Sequence, residues 1–334
     1  MPKRWTVMVP GGGGYVGSAL IPALLDAGHA VSVLDLFLYG EDHEVFGDHA
    51  RHPALRVVKG DVRDPGKVAE AMTGCDAVIH LACISNDPSF ELDPSLGKSI
   101  NFDSFRPLVV TARDSGVRRF VYASSSSVYG IKEGVSVTED LSLEPLTDYS
   151  KFKAMCEDVL AEERAPGFTT VVVRPATVCG YATRQRLDVV VNILTNHAVN
   201  NGKIKIFGGP QKRPNIHIKD MVRAYLHILQ MDDALVDGGV YNVGYENHSL
   251  DQLGEIVCKI VHGRTEVEHV PTYDLRSYHV SSERIKRDLG FEPQHSIEEA
   301  VRDLVDAFDA GLLPDSLHAS KYFNIKRMQE VELT

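Results

Sequence analysis

Residues 6–17 of the chain read TVMVPGGGGYVG, a short apolar run that ends in four successive glycines. The next residues, Ser18 to Ala27, have the apolar spacing of a helix that stops at Gly28. A strand, a glycine turn and a helix in this order present free backbone N–H groups and a helix N-terminus, which together bind a pyrophosphate. The glycines satisfy two spacings, so the loop alone does not identify its type: Gly12-x-Gly14-x-x-Gly17 and Gly11-x-x-Gly14-x-x-Gly17.

Segments typical of strands and helices continue to alternate toward the middle of the chain. Helical spacing occurs over 67–72, 101–115 and 149–164. Apolar runs predict strands over Ala30–Leu34, Leu55–Val58, Ala77–Leu81, Arg119–Ala123 and Thr170–Val173. Short strands that alternate with helices indicate an α/β fold, a Rossmann-type doubly wound parallel sheet whose ligand lies at the carboxyl ends of the strands.

The pattern loosens after Pro175, where Gly, Pro and Asn interrupt shorter segments. We therefore predict a nucleotide-binding domain with the catalytic groups over residues 1–175. Residues 176–334 are expected to form a smaller α/β cap that binds substrate, with some segments returning to the first domain. Helical spacing within the cap falls over 221–230, 250–261, 282–289 and 297–308, whereas 312–334 show no informative pattern.

Composition narrows the class of protein. The 334 residues include 35 Lys and Arg against 46 Asp and Glu, a net charge of −11, which argues against a general nucleic-acid or anionic-membrane surface. No run approaches the roughly 18 apolar residues of a membrane span, and the N-terminus lacks a signal peptide, so we expect a cytoplasmic protein. The five cysteines are scattered without a Cys-x-x-Cys pair, which indicates reduced thiols and no metal site.

An acidic residue ends the second predicted strand. Asp35 follows Gly17 by 18 residues, where a carboxylate accepts hydrogen bonds from both hydroxyls of an adenosine ribose and repels a 2′-phosphate. No Arg or Lys lies between Asp35 and Arg51, so the usual partner of that phosphate is missing. These features favour NAD over NADP. Asp61, after the third strand, is predicted to contact the adenine amino group.

A tyrosine and a lysine lie on one face of a predicted helix, because Tyr149 and Lys153 are four residues apart. Upstream, the strand that ends at Ala123 leads into four serines, Ser124 to Ser127, which places hydroxyls at a strand's carboxyl end. A free tyrosine, with a pKa of about 10, is a poor base at neutral pH and needs a neighbouring cation. Lys153 can supply that cation.

Together these motifs resemble the extended short-chain dehydrogenase/reductase family, specifically its NAD-dependent nucleotide-sugar epimerases and dehydratases. The resemblance implies NAD as cofactor, a nucleotide-diphosphate sugar as substrate, and a homodimer through the helices near Asn101 and Tyr149. It extends from residue 5 to about residue 305 and rests on the glycine loop, Asp35, Gly60-Asp61-Val62, His80-Leu81-Ala82-Cys83 and Tyr149-x-x-x-Lys153.

The resemblance assigns roles to individual residues. Ser125 would hydrogen-bond the developing carbonyl oxygen, Tyr149 would be the acid/base, and Lys153 would grip the nicotinamide ribose. Asn101 is either a helix cap or a group that supports the site. The residues implied for cofactor binding are Gly11, Gly14, Tyr15, Val16, Gly17, Asp35, Asp61, Val62, Leu81, Ala82, Cys83, Tyr149, Lys153 and Pro175.

The second half supplies all but one of the implied substrate contacts. Residues 213–220, RPNIHIKD, resemble a family stretch whose arginine pairs with the substrate diphosphate. Thr177 replaces an asparagine that contacts substrate in the epimerases, so the identity of the sugar does not carry over. The residues implied for substrate binding are Ser126, Thr177, Asn192, Phe207, Arg213 and Arg276.

The serines also bear on the type of reaction. Family members that remove water carry an Asp-Glu pair after the catalytic hydroxyl, whereas this chain has Ser126 and Ser127. The glutamate of the family's decarboxylases is also missing, which leaves hydride exchange at C4 of the sugar. We therefore expect a nucleotide-sugar 4-epimerase that acts by transient C4 oxidation and hydride return.

Two alternatives stay open. One is a nucleotide-sugar 4-dehydrogenase or 4-ketoreductase, since residues 184–192, RQRLDVVVN, resemble a branch that includes a GDP-heptose 4-dehydrogenase. The other is a catalytically idle, NAD-bound regulatory or binding protein, which the complete set of acid/base groups disfavours. Arg184 and Arg186, the basic pair of residues 184–192, contact either a charged sugar or only solvent. The nucleotide base and the sugar are open as well, because loops shape the pocket walls.

Overall fold

A parallel sheet of seven strands is the largest sheet among the described residues. The computed structural model describes residues 3–132, 134–261, 263, 265–272, 277 and 279–333. In chain order its strands are β1 Thr6–Pro10, β2 Ala30–Asp35, β3 Leu55–Lys59, β4 Ala77–His80, β5 Arg119–Ala123, β6 Ser136–Val137, β7 Thr169–Pro175, β8 Thr177–Cys179, β9 Lys203–Phe207, β10 Lys212–His217, β11 Gly239–Val243, β12 Glu246–Ser249, β13 Glu266–Val270 and β14 His279–Val280.

Helices connect these strands and cover the sheet. They are α1 Tyr15–Asp26, α2 Asp42–Phe46, α3 Pro65–Met72, α4 Asp87–Phe90, α5 Pro94–Lys98, α6 Phe105–Asp114, α7 Asp148–Glu162, α8 Val190–Asn201, α9 Ile218–Gln230, α10 Asp233–Val236, α11 Leu250–Ile260, α12 Glu283–Leu289, α13 Ile297–Asp309 and α14 Asn324–Glu330. Short 3-10 turns occupy Gly47–Arg51, Ser126–Tyr129 and Ser320–Tyr322. Among the described residues, no helix combines the length and the apolar character that a bilayer span requires.

The strand order confirms the predicted doubly wound α/β fold. The large sheet runs β11-β7-β5-β4-β1-β2-β3, and its neighbouring strands are parallel. The chain winds outward in one direction from β1 to β3 and in the other from β4 to β11. Ligands of such sheets bind beyond the carboxyl ends of the strands where this order reverses, which is between β1 and β4 here.

Both faces of the sheet are buried, because successive side chains of a strand point to opposite faces. On one face, Val7 and Val9 of β1 belong to a buried cluster that includes Leu20 and Leu24 of α1. Met8, between the two valines, belongs to the cluster on the other face, which contains residues of α3, α6 and α7. The continuous apolar run that predicted a strand therefore reflects burial on two sides.

A buried arginine ties a helix of the second half to the large sheet. Arg119, at the start of β5, is fully buried, and its guanidinium donates to the carbonyl oxygens of Ile228 (2.6 Å) and Met231 (3.0 Å) at the end of α9. It also pairs with Asp233. A cation here satisfies carbonyl groups that have no partner within the helix. As a result α9 packs against α1, and β11, which follows α9, becomes the outer strand of the sheet.

The rest of the second half forms smaller sheets. One has the order β12-β10-β8, a second pairs β13 with β9, and a third pairs β14 with β6. A buried apolar cluster of α8, α11 and α13 with β9 supports this region. The division of the chain at residue 175 into two domains stays a prediction.

One sequence prediction about a helix needs correction. The helix expected over 101–115 is interrupted, since a π-helical turn at Ser99–Asp103 precedes α6. Within that turn the buried Asn101 accepts from the Ile84 backbone N–H (2.8 Å) and donates to the Ile84 carbonyl oxygen (2.9 Å). The tail at 312–334, which lacked a pattern, contains α14.

Gly130 and Gly134, which follow the 3-10 turn at Ser126–Tyr129, offer a matched test of how closely the chain packs there. Both have positive φ, +69° and +70°. A Cβ at Gly130 would lie 2.1 Å from the Glu144 carbonyl oxygen, whereas one at Gly134 would meet no described atom within 4 Å. We expect Gly134→Ala to lower the free energy of unfolding by about 1 kcal/mol, the cost of the left-handed backbone, and Gly130→Ala by about 2–4 kcal/mol because of the added clash. Urea denaturation measures both, and equal losses would contradict the close contact.

Candidate active site

The glycine loop crosses the carboxyl end of β1 and leads into α1. A Cβ at Gly11, whose φ is +80°, would lie 2.4 Å from the Ala82 backbone nitrogen, and one at Gly17 would lie 2.2 Å from the Gly12 carbonyl oxygen. Only glycine permits this approach. Gly14 caps α1 without a side-chain hydrogen bond. The first N–H groups of α1 therefore remain available to an anion.

One cavity extends from this loop across the carboxyl ends of the strands. Its lining contains all the residues that the sequence assigned to catalysis or to cofactor binding: Gly11, Gly14, Tyr15, Val16, Gly17, Asp35, Asp61, Val62, Leu81, Ala82, Cys83, Ser125, Tyr149, Lys153 and Pro175. Strand ends and the turns after them supply most of these positions. The topology thus brings together residues that lie more than a hundred positions apart in the chain.

Asp35 is held at the end of β2 by backbone groups. Its Oδ1 accepts from the Phe37 N–H (2.7 Å) and its Oδ2 from the Gly13 N–H (2.9 Å). Burial raises the pKa of this carboxyl, although the two N–H groups and the Arg184 guanidinium act in the opposite direction. The carboxylate is therefore oriented by the glycine loop itself, in the cavity.

Asp61 lies in the cavity lining with its carboxylate already paired. Arg63 contacts it through two nitrogens, with Nη2 2.6 Å from Oδ2 and Nε 3.1 Å from Oδ1, and the Arg63 backbone N–H also donates to Oδ1. Hydrogen bonds and charge from Arg63 hold the pKa of Asp61 below its usual range despite partial burial. The predicted contact of Asp61 with adenine stays a prediction, and Arg63 would compete for the same oxygens.

Ser125, Tyr149 and Lys153 meet at the carboxyl end of β5. Ser125 caps the 3-10 turn that follows, and its Oγ accepts from the backbone N–H and the hydroxyl of Ser127, at 3.1 and 2.9 Å. Lys153 is buried and donates from Nζ to the Ala123 carbonyl oxygen at 2.7 Å. Its Nζ lies 6.0 Å from the centre of the Tyr149 ring. A hydroxyl, a phenol and an ammonium therefore share one end of the cavity.

The environment of Tyr149 sets its acidity. Burial raises the pKa of this phenol, and Cys83 and Asp87 raise it further. The Arg186 charge and a hydrogen bond with Ser125 lower it. A phenol with a raised pKa holds its proton at neutral pH, so it becomes a base only when a positive charge is added nearby. The arrangement suits a group that takes up and returns one proton.

A buried ion pair lies behind these residues. Glu157, one turn after Lys153 on α7, pairs with Arg174 near the end of β7, with Oε2 2.6 Å from Nη2. Its other oxygen accepts from the Ser124 hydroxyl. The Arg174 Nη1 also donates to the Tyr129 hydroxyl (2.7 Å), which donates to Asn242 (2.7 Å). Sequence reasoning missed this network, whose one visible signal is a glutamate four residues after Lys153.

Four of the predicted substrate contacts lie outside the lining of this cavity, and their role stays a prediction. Arg276 lies outside the described residues. Phe207 ends β9 and is 54% exposed, and Arg213 lies on β10. Ser126 is buried within the 3-10 turn, and Thr177 begins β8. None of these four is among the described residues that line the cavity.

Asn192 requires a correction. It is fully buried at the start of α8. Its Oδ1 accepts from the Gly180 N–H (3.0 Å), and its Nδ2 donates to the Arg186 carbonyl oxygen (2.8 Å) and the Tyr15 hydroxyl (3.2 Å). Its amide therefore joins three segments of the protein and is not free for a substrate diphosphate.

Residues of the second half also enter the cavity lining. Arg184 and Arg186 both line the cavity. The sequence alone did not decide whether this pair contacts a charged sugar or only solvent. Arg186 pairs with Asp188 and donates to the Ser85 hydroxyl (2.9 Å). The Arg-x-Arg spacing was a visible signal for this pair. The remaining lining residues from the second half include Ala176, Val178, Val189, Met221, Tyr225, Asn324, Met328 and Leu333.

Comparison with known proteins gives a consistent result. The sequence profile of the NAD dependent epimerase/dehydratase family matches residues 7–244. A UDP-glucose 4-epimerase from Corynebacterium glutamicum is 27% identical and aligns over 94% of this chain and 98% of its own length. A dTDP-glucose 4,6-dehydratase from Streptomyces griseus is 31% identical over 88% of this chain and 91% of its own.

A solved structure supports the same assignment. The dTDP-glucose 4,6-dehydratase DesIV from Streptomyces venezuelae, crystallised with NAD bound, superimposes with a TM-score of 0.83 at 26% identity. The alignment covers 95% of this chain and 100% of that chain.

Asp35 provides a test of cofactor choice. Asp35→Asn removes the negative charge while the side chain keeps its size. Preference for NAD over NADP should therefore fall at least about fivefold, since two charges about 4 Å apart repel by about 1–4 kcal/mol. Calorimetric dissociation constants for the two nucleotides measure this ratio. Asp61→Asn is the control, because its charge is already paired with Arg63. An unchanged ratio in the Asp35 variant would contradict the ribose assignment.

Proposed function

The chain belongs to the NAD-dependent epimerase/dehydratase family, and on that premise we propose that it is a nucleotide-sugar 4-epimerase. It is an NAD-dependent enzyme, and its relatives act on nucleotide sugars. The proposed reaction oxidises the sugar hydroxyl at C4 and then reduces the ketone from its other face. A nucleotide-sugar 4-dehydrogenase or 4-ketoreductase would use the same groups and differ in the fate of the hydride.

The positions of the carboxylates in the cavity are the observation that supports an epimerase over a dehydratase. Among the described lining residues, the carboxylates are Asp35 and Asp61. Asp35 is bonded to the glycine loop, and Asp61 is paired with Arg63. Asp87, whose charge raises the pKa of Tyr149, is not among these lining residues and accepts from the Thr147 hydroxyl. Removal of water across two carbons needs a second acid/base pair next to the sugar. Hydride exchange at one carbon needs a single proton acceptor, which Tyr149 provides.

The chain's own groups account for the proton. Tyr149 accepts the C4 hydroxyl proton as the carbonyl forms, keeps it on the phenol, and returns it when the carbonyl is reduced. Ser125 donates a hydrogen bond to the developing oxygen. The buried Lys153 ammonium, held by the Ala123 carbonyl, favours the phenolate during this exchange. NAD, when bound, accepts the hydride and gives it back.

We also place the protein in the cytoplasm as a homodimer that pairs α6 and α7 of two copies. These helices pack together on one side of the sheet. Met155 of α7 is 41% exposed, which leaves an apolar side chain for such a contact.

The reaction itself provides the direct test. The purified protein is incubated with UDP-, GDP-, dTDP- and CDP-sugars and a catalytic amount of NAD, and proton NMR follows the C4 position. Inversion at C4 without net NADH is the expected result. A 4-keto product limited by the NAD supplied would replace the epimerase with a dehydrogenase, and an unchanged set of sugars would contradict the proposed substrate class.

Tyr149→Phe tests the acid/base assignment. Loss of a positioned acid/base group should lower kcat by about 10²–10⁴-fold, while NAD affinity changes little because the ring remains. Tyr245→Phe is the matched control, since Tyr245 is 45% exposed and does not line the cavity among the described residues. Full turnover by the Tyr149 variant would show that another group moves the proton.

A further inference from the structure

The last helix of the chain closes one side of the cofactor cavity. Met328 of α14, and Leu333 beyond it, both line the cavity. Met328 is 7% exposed and belongs to an apolar cluster with Ile84 and Ile100, which also line the cavity. The segment that follows the substrate-binding region in sequence therefore returns to the nucleotide-binding half.

Asn324 anchors this helix at its first residue. Its backbone N–H donates to Asp188 Oδ2 (2.8 Å), and its Nδ2 donates to the Ser85 hydroxyl (3.0 Å). Its Oδ1 accepts from Arg184 Nη2 at 2.9 Å. Asn324 is itself 4% exposed, so these bonds form away from water. One amide thus connects the C-terminal helix, the turn after β4 and Arg184.

Arg184 is a buried cation without a carboxylate of the described residues within ion-pair distance. Burial lowers the pKa of its guanidinium, and Asp188 and Asp35 raise that pKa from farther away. Arg184 is 6% exposed, its guanidinium carbon lies 3.6 Å from the centre of the Tyr39 ring, and its Nε has no hydrogen-bond partner. Arg119 and Arg174, the other buried arginines, each have a carboxylate within ion-pair distance. No carboxylate of the described residues lies that close to Arg184. A buried charge left this way is costly unless an anion joins it.

The position of Arg184 indicates which anion this is. Its backbone N–H donates to the hydroxyl of Ser18 (3.2 Å), which lies in the first turn of α1. The same turn presents its free N–H groups to the cavity. A diphosphate carries the negative charge that both features favour, and an arginine can contact two of its oxygens.

We infer that Arg184 binds the diphosphate of NAD and that Asn324 of the C-terminal helix holds Arg184 in position. The C-terminal segment is then part of the cofactor site, and release of NAD requires the loss of this contact. This inference depends on NAD binding by the chain and not on the reaction at C4.

NAD binding without any sugar tests the inference. Nucleotide-free protein is titrated with NAD in a calorimeter, and the loss of a charge-assisted contact in Arg184→Met should weaken binding by about 10–100-fold. Asn324→Asp should also weaken it, because a carboxylate beside Arg184 would pair with the guanidinium. Arg302→Met is the control, since Arg302 is 53% exposed and pairs with Glu298 on the surface.

Smaller ligands identify the part of NAD that Arg184 contacts. The Arg184→Met effect should appear with ADP and be absent with adenosine, and an equal loss with adenosine would overturn the diphosphate assignment. An unchanged dissociation constant for NAD in a variant with wild-type thermal stability would overturn the inference as a whole. If Arg184→Met does not fold, the NAD affinities of Arg184→Lys and Asn324→Asp test the inference instead. Wild-type affinity for NAD in both variants would contradict it.

Discussion

One buried carboxylate joins the segments on which the active site depends. Glu157 of α7 contacts Arg174 of β7 and the Ser124 hydroxyl at the end of β5. Tyr149, Lys153 and Glu157 are spaced by four residues, so they lie along one face of α7. Holding Glu157 against the two strand ends therefore fixes where the phenol and the ammonium stand relative to Ser125. A buried charge that loses its partner costs about 3–5 kcal/mol, which makes this arrangement rigid.

The cavity has a different electrostatic character at its two ends. At the end near the glycine loop, the Gly13 N–H orients Asp35, and the start of α1 remains available to an anion. At the other end, burial raises the pKa of the Tyr149 phenol, the Arg186 charge lowers it, and Lys153 Nζ lies 6.0 Å from the centre of its ring. The first end suits a ribose and a diphosphate, and the second suits a group that must become a phenolate. A cofactor that spans both ends places its reactive ring beside the phenol.

The sequence could predict the location of residues whose placement depends only on their neighbours in the chain. The glycine loop and Asp35 lie at strand ends, and the spacing of Tyr149 and Lys153 follows from one helix, so their common location needed only the parallel sheet. Asn192 could not be predicted in this way. Its matching position suggested a substrate contact, but its amide is consumed by Gly180, Arg186 and Tyr15 within the fold.

The sequence by itself determined the α/β class and the place of the glycine loop, and it predicted Ser125, Tyr149 and Lys153 as site residues, which line the cavity. These features could be predicted because short apolar runs, glycines and helical spacing act within a few residues. Only the tertiary structure decided that Arg184 and the tail of the chain close the cofactor cavity. Asn324 is 140 residues from Arg184 and 239 from Ser85 in sequence, yet it bonds to both. Such contacts depend on how α9 and β11 return the chain to the large sheet, and no local pattern encodes them.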